Sequence, residues 1–290
     1  MRVARVGAVL AALIAVTVGC GSTSKASTSP TTVPPATTVP SMAPTTTMPE
    51  AATLDVRAYF MHGDTIGVAH RTVVATPRIA TAAMAELLAG PTPNDAAAGL
   101  TTAIPGGTRL LGLDITAGTA TVDLSGAFAQ GGGSLSMTAR LAQVTYTLTQ
   151  FPTVAQVVFR VDGAPVTAFG GGGIVLDHPA TRATFESVTP AILVESPGRG
   201  WAVHTPLHMS GTADVFEAQF QAELTDAAGT VLASRAVRAT SGSGTRGTFD
   251  APLPFPAAVT GPATLTVFDL SPKDGSRIDV VAVPVELVAP

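Results

Sequence analysis

Apolar and polar positions alternate along the chain from Leu54 onwards. In the first segment the two sets alternate strictly, Val56, Ala58 and Phe60 against Asp55, Arg57 and Tyr59. This period of two predicts a half-buried strand with one wet face. Similar patterns predict further strands near residues 65–71, 108–115, 120–124 and 156–161.

Two stretches of the same segment have helical spacing instead. Thr76 and Pro77 have the residue types of an N-cap and a first-turn proline, for a helix that ends at Ala89. The second stretch follows residues 131–133, and its apolar residues recur three or four positions apart: Met137, Leu141, Val144 and Leu148. Because both helices need a sheet face to cover, the order of these elements predicts a two-layer α+β domain with a mixed sheet.

The last hundred residues have strand patterns only. The most regular row has an inward set, Phe216, Ala218, Phe220, Ala222 and Leu224, and an outward set, Glu217, Gln219, Gln221 and Glu223. Further short strands are predicted near 191–194, 231–238, 264–270 and 278–287. Short strands without helical stretches favour an all-β sandwich.

The N-terminus has the three parts of a secretory signal. Arg2 and Arg5 precede an apolar run over 6–18, which is too short for a membrane-spanning helix, and Gly19 and Cys20 follow. The ending Thr-Val-Gly-Cys resembles the lipobox of bacterial lipoproteins, in which the cysteine receives a diacylglyceryl group and becomes the new N-terminus. The resemblance implies a chain anchored through Cys20 to the outer face of the cell membrane. A plain secretory signal with an incidental cysteine is the alternative.

Composition separates the leader from the rest of the chain. Residues 21–50 are almost entirely Ser, Thr, Pro, Ala and Val, which is typical of a solvated linker, with or without O-glycans. The domain prediction is therefore a signal peptide at 1–19, a lipidated cysteine and linker at 20–52, an α+β domain at 53–168, a connector at 169–189 and a sandwich at 190–290. A formal net charge of −4 argues against nucleic acid as a partner.

Several motifs of the first domain resemble the GerMN domain, which is named for spore germination and sporulation lipoproteins and also occurs in actinobacterial envelope lipoproteins. They are Leu-Leu-Ala-Gly-Pro-Thr at 87–92, Thr-Ala-Ile-Pro-Gly-Gly-Thr at 102–108, Val-Asp-Leu-Ser at 122–125, Leu-Thr-Gln-Phe-Pro at 148–152 and Val-Asp-Gly at 161–163. Motifs at 194–197, 210–213, 216–218 and 271–276 resemble the immunoglobulin-like domain of bacterial spore germination proteins. Together with the scarcity of lysine, the resemblance implies an actinobacterial lipoprotein of this architecture.

No constellation in the sequence identifies an active site. His204 and His208 are spaced like a helical zinc pair, but Pro206 lies between them in a region with strand or turn character. The glycine runs at 131–133 and 170–173 lack the Lys-Ser/Thr of a phosphate loop and indicate flexible connectors, and residues 241–244 lack the pattern of a nucleophile elbow. We therefore assign no catalytic, cofactor-binding or metal residue, and expect no cofactor.

Three further groups of residues have a structural interpretation and a functional one. Trp201 could plug the sandwich edge or stack on a sugar. Carboxylates such as Asp55, Asp123 and Asp162 have turn roles by default, although a pair of them could meet in the fold. The outward row of Glu217, Gln219, Gln221 and Glu223 is a solvated face or a contact surface.

The sequence predicts a non-enzymatic envelope lipoprotein that binds another envelope protein or peptidoglycan. Its other predicted partner is the membrane, through the lipid on Cys20. The alternative is a cell-wall-modifying hydrolase that uses carboxylates not recognised in the sequence.

Overall fold

The computed structural model describes residues 51–169 and 173–289. The predicted leader, Cys20, the linker up to residue 50 and most of the second glycine run lie outside these residues. The described chain forms an α+β region followed by an immunoglobulin-like all-β sandwich, as the sequence predicts. In 51–169 and 173–289 no helix is long and apolar enough to cross a membrane.

The first region contains three helices and nine strands. The helices are α1 (Ile79–Ala89), α2 (Pro93–Ala97) and α3 (Ser134–Leu148). The strands are β1 (Thr53–His62), β2 (Thr65–Val74), β3 (Leu100–Thr101), β4 (Leu110–Thr116), β5 (Thr119–Leu124), β6 (Gln156–Val161), β7 (Ala164–Pro165), β8 (Ala168–Phe169) and β9 (Ile174–Val175).

These strands form two main sheets and a small hairpin. One sheet has the order β2-β1-β3, the other β4-β5-β6-β7, and β8 pairs with β9. The strands β5 and β6 are parallel, with α3 in the connection between them, and the other pairs are antiparallel. A mixed sheet results, as predicted.

Helix α3 is buried on nearly all sides, not on one face only. The predicted apolar row of Met137, Leu141, Val144 and Leu148 is buried, but so are the polar side chains of Gln143, Thr145 and Thr147. The helix packs against β1, α1 and the segment around Phe185. The predicted apolar row is confirmed, and the polar residues Gln143, Thr145 and Thr147 are buried together with it.

The polar side chains of α3 replace a missing strand beside β1. Gln150, just after the helix, accepts from Arg57 N–H at 2.8 Å and donates to Arg57 C=O at 2.7 Å. Thr147, one turn earlier, accepts from Tyr59 N–H at 3.2 Å, and Gln143, two turns earlier, donates to Tyr59 C=O at 3.1 Å. Because a buried unpaired backbone group is costly, these contacts explain why polar residues occupy the interior.

The loop at 131–133 is held in place by a buried cation. Arg140 of α3 donates to the backbone carbonyls of Phe128, Gln130 and Gly131 at 2.7–2.9 Å, and to that of Ala103 at 3.0 Å. Five N–H groups on one planar fork let a single side chain satisfy several carbonyls. The first residue of this glycine run, Gly131, is therefore tied to α3.

The second region is a sandwich of two sheets. Its strands are β10 (Ile192–Ser196), β11 (Ala202–Val203), β12 (Leu207–Ala213), β13 (Gln219–Asp226), β14 (Val231–Arg238), β15 (Gly247–Leu253), β16 (Gly261–Leu270) and β17 (Arg277–Leu287). One sheet has the order β10-β12-β15 and the other β11-β17-β16-β13-β14. The core lies between them, where the rings of Phe220 and Phe249 meet edge to face at 4.9 Å.

Glycine is required where β12 passes β10. A Cβ on Gly211 would lie 2.0 Å from the carbonyl oxygen of Leu193 and 2.9 Å from the Phe249 ring. A larger residue would therefore push the strands apart.

Two local predictions fail for identifiable reasons. Helix α1 begins at Ile79 without a side-chain cap, because the Thr76 hydroxyl accepts from Arg78 N–H in the turn before it. Phe216 is 70% exposed, because Glu217 and Ala218 adopt positive φ and turn the chain before β13 begins. The buried part of the predicted row therefore starts at Ala218, which lies in the sandwich core.

The segment 173–189 contributes to the first core. Phe185 and Val188 are buried in it, and Leu193 of β10 joins them from the sandwich. In addition, the Thr189 hydroxyl lies 2.7 Å from that of Tyr146 on α3. The two regions are thus packed together through this segment.

Candidate functional site

The two regions meet at a group of charged and polar residues. Glu195, in β10, accepts hydrogen bonds from Arg182 Nη1 at 2.8 Å and from the Tyr59 hydroxyl. Arg57 Nη1 lies 3.9 Å from the second oxygen of the same carboxylate. We call Arg57, Tyr59, Arg182 and Glu195 the junction cluster. Tyr59 is 136 positions from Glu195, so that only the fold brings them together.

Aromatic rings hold the cation of the junction cluster. Arg182 begins a 3-10 segment, and its guanidinium carbon lies 4.7 Å from the ring centroid of Tyr146 and 5.4 Å from that of Tyr59. Its Nε donates to the Thr149 hydroxyl at 2.9 Å and its Nη2 to the Tyr59 hydroxyl at 3.2 Å. A planar guanidinium can stack and donate at once, which lysine cannot do.

The junction cluster favours the charged forms of its ion pair. Burial alone would raise the pKa of Glu195, but the charges of Arg182 and Arg57 and the hydrogen bonds outweigh burial, so that the pKa lies below its usual value. Burial, with the nearby Glu195 charge, raises the pKa of Tyr59. Glu195 is therefore an acceptor and Tyr59 a neutral donor.

A second set of contacts extends the junction to the surface. His70 of β2 donates through Nε2 to the backbone carbonyl of Glu195 at 3.0 Å, and its Nδ1 lies 2.7 Å from Asp55 Oδ2. The Trp201 ring meets the His70 ring edge to face at 4.5 Å. A Cβ on Gly198 would lie 2.7 Å from the indole, so glycine makes room for the ring.

These residues surround a cleft of about 310 Å³, which we call the junction cleft. Its lining comes from both regions: Asp55, Arg57, His70, Gln150, Phe151, Glu195, Ser196 and Trp201. A concave site with an aromatic wall and a few convergent polar groups is the usual form of a small-ligand site. The junction cleft is therefore the candidate functional site.

A further ion pair bridges the regions away from the cleft. Arg246, just before β15, donates to the Glu186 carboxylate at 2.7–3.1 Å and to the Pro190 carbonyl at 2.8 Å. The Glu186 side chain is 42% exposed, against 12% for Glu195. Screening by water therefore makes this pair the weaker of the two.

A second recess of about 160 Å³ lies between β2, β10 and β17. We call it the edge groove, because β2 lies at the edge of its sheet. Its walls are mostly apolar and include Ile66, Val68, Val194 and Val281. Nothing in the described chain covers it with a further strand.

Of the residues singled out in the sequence, only Asp55 and Trp201 reach the junction cleft. Trp201 was predicted to plug the sandwich edge or to stack on a sugar; it lies just before the edge strand β11, and its ring packs across the junction onto His70. Asp123 accepts from Gly163 N–H and Asp162 from Gly126 N–H, each at 3.0 Å, which confirms their turn roles.

The remaining sequence candidates lie elsewhere. His208 is exposed in β12 and His204 precedes it in a loop. Ser243 closes a turn by accepting from Glu217 N–H at 3.1 Å. Within the described ranges no three His, Cys, Asp or Glu side chains are grouped to hold a metal ion.

Sequence reasoning missed the junction cluster. Tyr59 was predicted on the wet face of β1, but it is fully buried because α3 and Arg182 cover that face. The signal that could have indicated burial is the aromatic residue itself, since tyrosine is more often buried than the charged residues that flank the strand. Nothing in the sequence pairs Arg182 with Glu195.

The two regions define an α+β domain joined to an immunoglobulin-like domain, and two family models match them. Residues 57–167 match "Sporulation and spore germination", and residues 191–276 match "Immunoglobulin-like domain of bacterial spore germination". The chain therefore has a domain architecture of the spore-germination type. Neither description names an enzyme.

Among solved structures, the chain is similar to a candidate lipoprotein from Clostridium perfringens, with 19% identity, a TM-score of 0.35 and coverage of 49% of this chain and 98% of that one. It is also similar to the first GerMN domain of the sporulation protein GerM from Bacillus subtilis, with 24% identity, a TM-score of 0.37 and coverage of 45% and 99%. The tandem GerMN domains of the same protein have 14% identity to this chain and a TM-score of 0.40, and the match covers 70% of this chain and 62% of that one. No curated protein matches the chain.

Proposed function

We propose that this chain is a non-enzymatic envelope protein, anchored through a lipid on Cys20, which binds an envelope protein or the cell wall at the surface shared by its two domains. The observation that carries the proposal is the junction cleft, because both domains contribute to it and ion pairs fix their contact. A fixed recess costs less ordering on binding than a mobile one. The type of domain architecture supports an envelope role.

The structure gives one observation that favours the hydrolase alternative and one that does not. The junction cleft does bring two carboxylates, Asp55 and Glu195, to one site. Glycoside cleavage needs one carboxyl group that stays protonated as a general acid, and its pKa must be raised. The pKa of Glu195 is lowered instead, because Arg182 and Arg57 hold it ionised. Glu195 is therefore not suited to the role of the general acid.

Site-specific photocrosslinking in cells tests where partners bind. A photoreactive residue at Ser196, in the cleft, should give discrete adducts with an envelope protein or with peptidoglycan. The matched control is the same residue at Val231, which is exposed on the edge strand β14. Equal adducts at both positions, or none at Ser196, would contradict a binding surface at the junction.

A second assay separates binding from cleavage. Residues 21–290 are incubated with purified peptidoglycan, and both sedimented protein and released fragments are measured. We expect no released fragments. Release that disappears in Asp55→Asn or Glu195→Gln would establish the hydrolase instead.

A further inference from the structure

We infer that the junction cleft binds a sugar ring of a cell-envelope glycan, with Trp201 as the stacking surface. The inference deepens the proposed function and rests on it, since it selects a glycan among the possible envelope partners. Three features of the cleft carry the inference: a clamped aromatic ring, acidic and basic side chains of both signs, and polar groups with remaining hydrogen-bonding capacity.

The indole is held in a fixed position while part of it stays accessible. Gly198 and His70 lie against Trp201, and its backbone is tied to the loop and to β17 through Gly198 O and Glu286 N–H, at 3.2 and 2.8 Å. The residue is nevertheless 37% exposed and lines the cleft. A rigid, accessible indole offers an apolar face to the C–H face of a sugar at little cost in conformational entropy.

The cleft carries acidic and basic side chains next to each other. Asp55 and Glu195 lie beside Arg57, His70 and the adjoining Arg182. Phosphate-rich ligands need a strongly positive site and polycations a strongly negative one, so that neither is favoured here. A ligand with many hydroxyl groups and little charge fits this mixture.

Side chains on the walls of the junction cleft still have hydrogen-bond donors and acceptors for a ligand. Arg57 approaches Glu195 only to 3.9 Å, which leaves most of its guanidinium N–H groups able to donate. Asp55 accepts from His70 through Oδ2, and its side chain is 38% exposed. Planar groups of both kinds beside an aromatic face can bind adjacent hydroxyls of one ring. A volume of about 310 Å³ suits a small ligand and not a folded partner.

The only tryptophan of the chain makes the test specific, because its fluorescence reports from the cleft. Residues 21–290 are titrated with an N-acetylglucosamine tetramer and with peptide-free glycan strands prepared from peptidoglycan. We expect a saturable fluorescence change and a shift of the indole N–H signal in NMR spectra. Backbone amide shifts then give the Kd for each variant.

Trp201→Ala should raise the Kd at least tenfold. Trp201→Phe should change the Kd by less than about threefold, because a phenyl ring can still stack on the sugar. The matched control is Phe216→Ala, which removes an exposed aromatic residue of the same sandwich outside the cleft and should leave the Kd unchanged. NMR spectra show whether each variant is folded.

Absence of saturable binding to either sugar in the folded wild type, or binding that survives Trp201→Ala, would overturn the inference. If the protein still sediments with whole peptidoglycan or crosslinks at Ser196 in that case, the proposed function stands and only the sugar site fails. Loss of all these signals would overturn both.

Discussion

The carboxylate of Glu195 in the sandwich lies 2.8 Å from Arg182 Nη1, in the segment that packs into the first core. The two residues are only 13 positions apart, yet they join two domains. Their pair sits beneath the junction cleft, so that the shape of the cleft depends on it.

Glu195→Gln should destabilise the protein by about 3 kcal/mol at neutral pH, because it leaves the partly buried Arg182 charge without its partner. The measurement is chemical denaturation followed by circular dichroism. The matched control is Glu186→Gln, whose more exposed pair with Arg246 should contribute less than about 1 kcal/mol. Equal losses in the two variants would contradict the importance of the junction cluster.

The same pair predicts a pH dependence. The pKa of Glu195 is lower in the folded protein than its usual value of 4.5, so its contribution is fully present above pH 4.5 and is lost as the pH falls through the folded pKa. The stability difference between wild type and Glu195→Gln should therefore shrink in acid. A stability difference between the two proteins that does not change as the pH falls below 4.5 would argue against a lowered pKa of Glu195.

Gln143→Leu should cost about 2–4 kcal/mol, because it strands the buried backbone groups of Ala103 and Tyr59 that the amide satisfies. Thr145→Val is the matched control on the same helix: its hydroxyl is buried without a hydrogen-bond partner, so the change should be neutral or stabilising. Denaturation midpoints of both variants give the test. Destabilisation by Thr145→Val of the same size would contradict it.

A fragment of residues 51–189 should be more stable than one of residues 51–168. The longer fragment keeps Phe185 and Val188 in the first core, each worth about 2 kcal/mol of apolar burial. Amide NMR dispersion and thermal midpoints of the two fragments measure the difference. Identical midpoints would show that the segment 169–189 acts only as a connector.

Cys20→Ala should move most of the protein from washed membranes to the soluble fraction, since each buried CH₂ of the acyl chains contributes about 0.8 kcal/mol to anchoring. Cell fractionation and blotting measure the shift, with Ser24→Ala as the control that keeps the anchor. Retention of the Cys20→Ala protein in membranes, with its leader removed, would contradict lipidation.

Local pattern was enough to predict most strands, both long helices and the order of the two domains. Alternation of period two identified β1, β2, β5 and β6, because strands place successive side chains on opposite faces whatever their neighbours are. The strand predictions fail where the backbone turns at a residue that does not signal a turn. Glu217 has a positive φ although it is not a glycine, so nothing in the sequence indicates the turn.

The sequence by itself determined the α+β and sandwich classes; the lipid site at Cys20 remains a prediction from the sequence, which has no recognisable catalytic motif. Only the tertiary structure decided that Tyr59 is buried, that Gln143 and Gln150 complete the edge of β1, and that Trp201 faces a cleft lined by both domains. The physical reason is that periodicity records which side chains share a face. Which polar groups meet across two faces depends on how distant segments pack, and a buried polar group takes whichever partner that packing supplies.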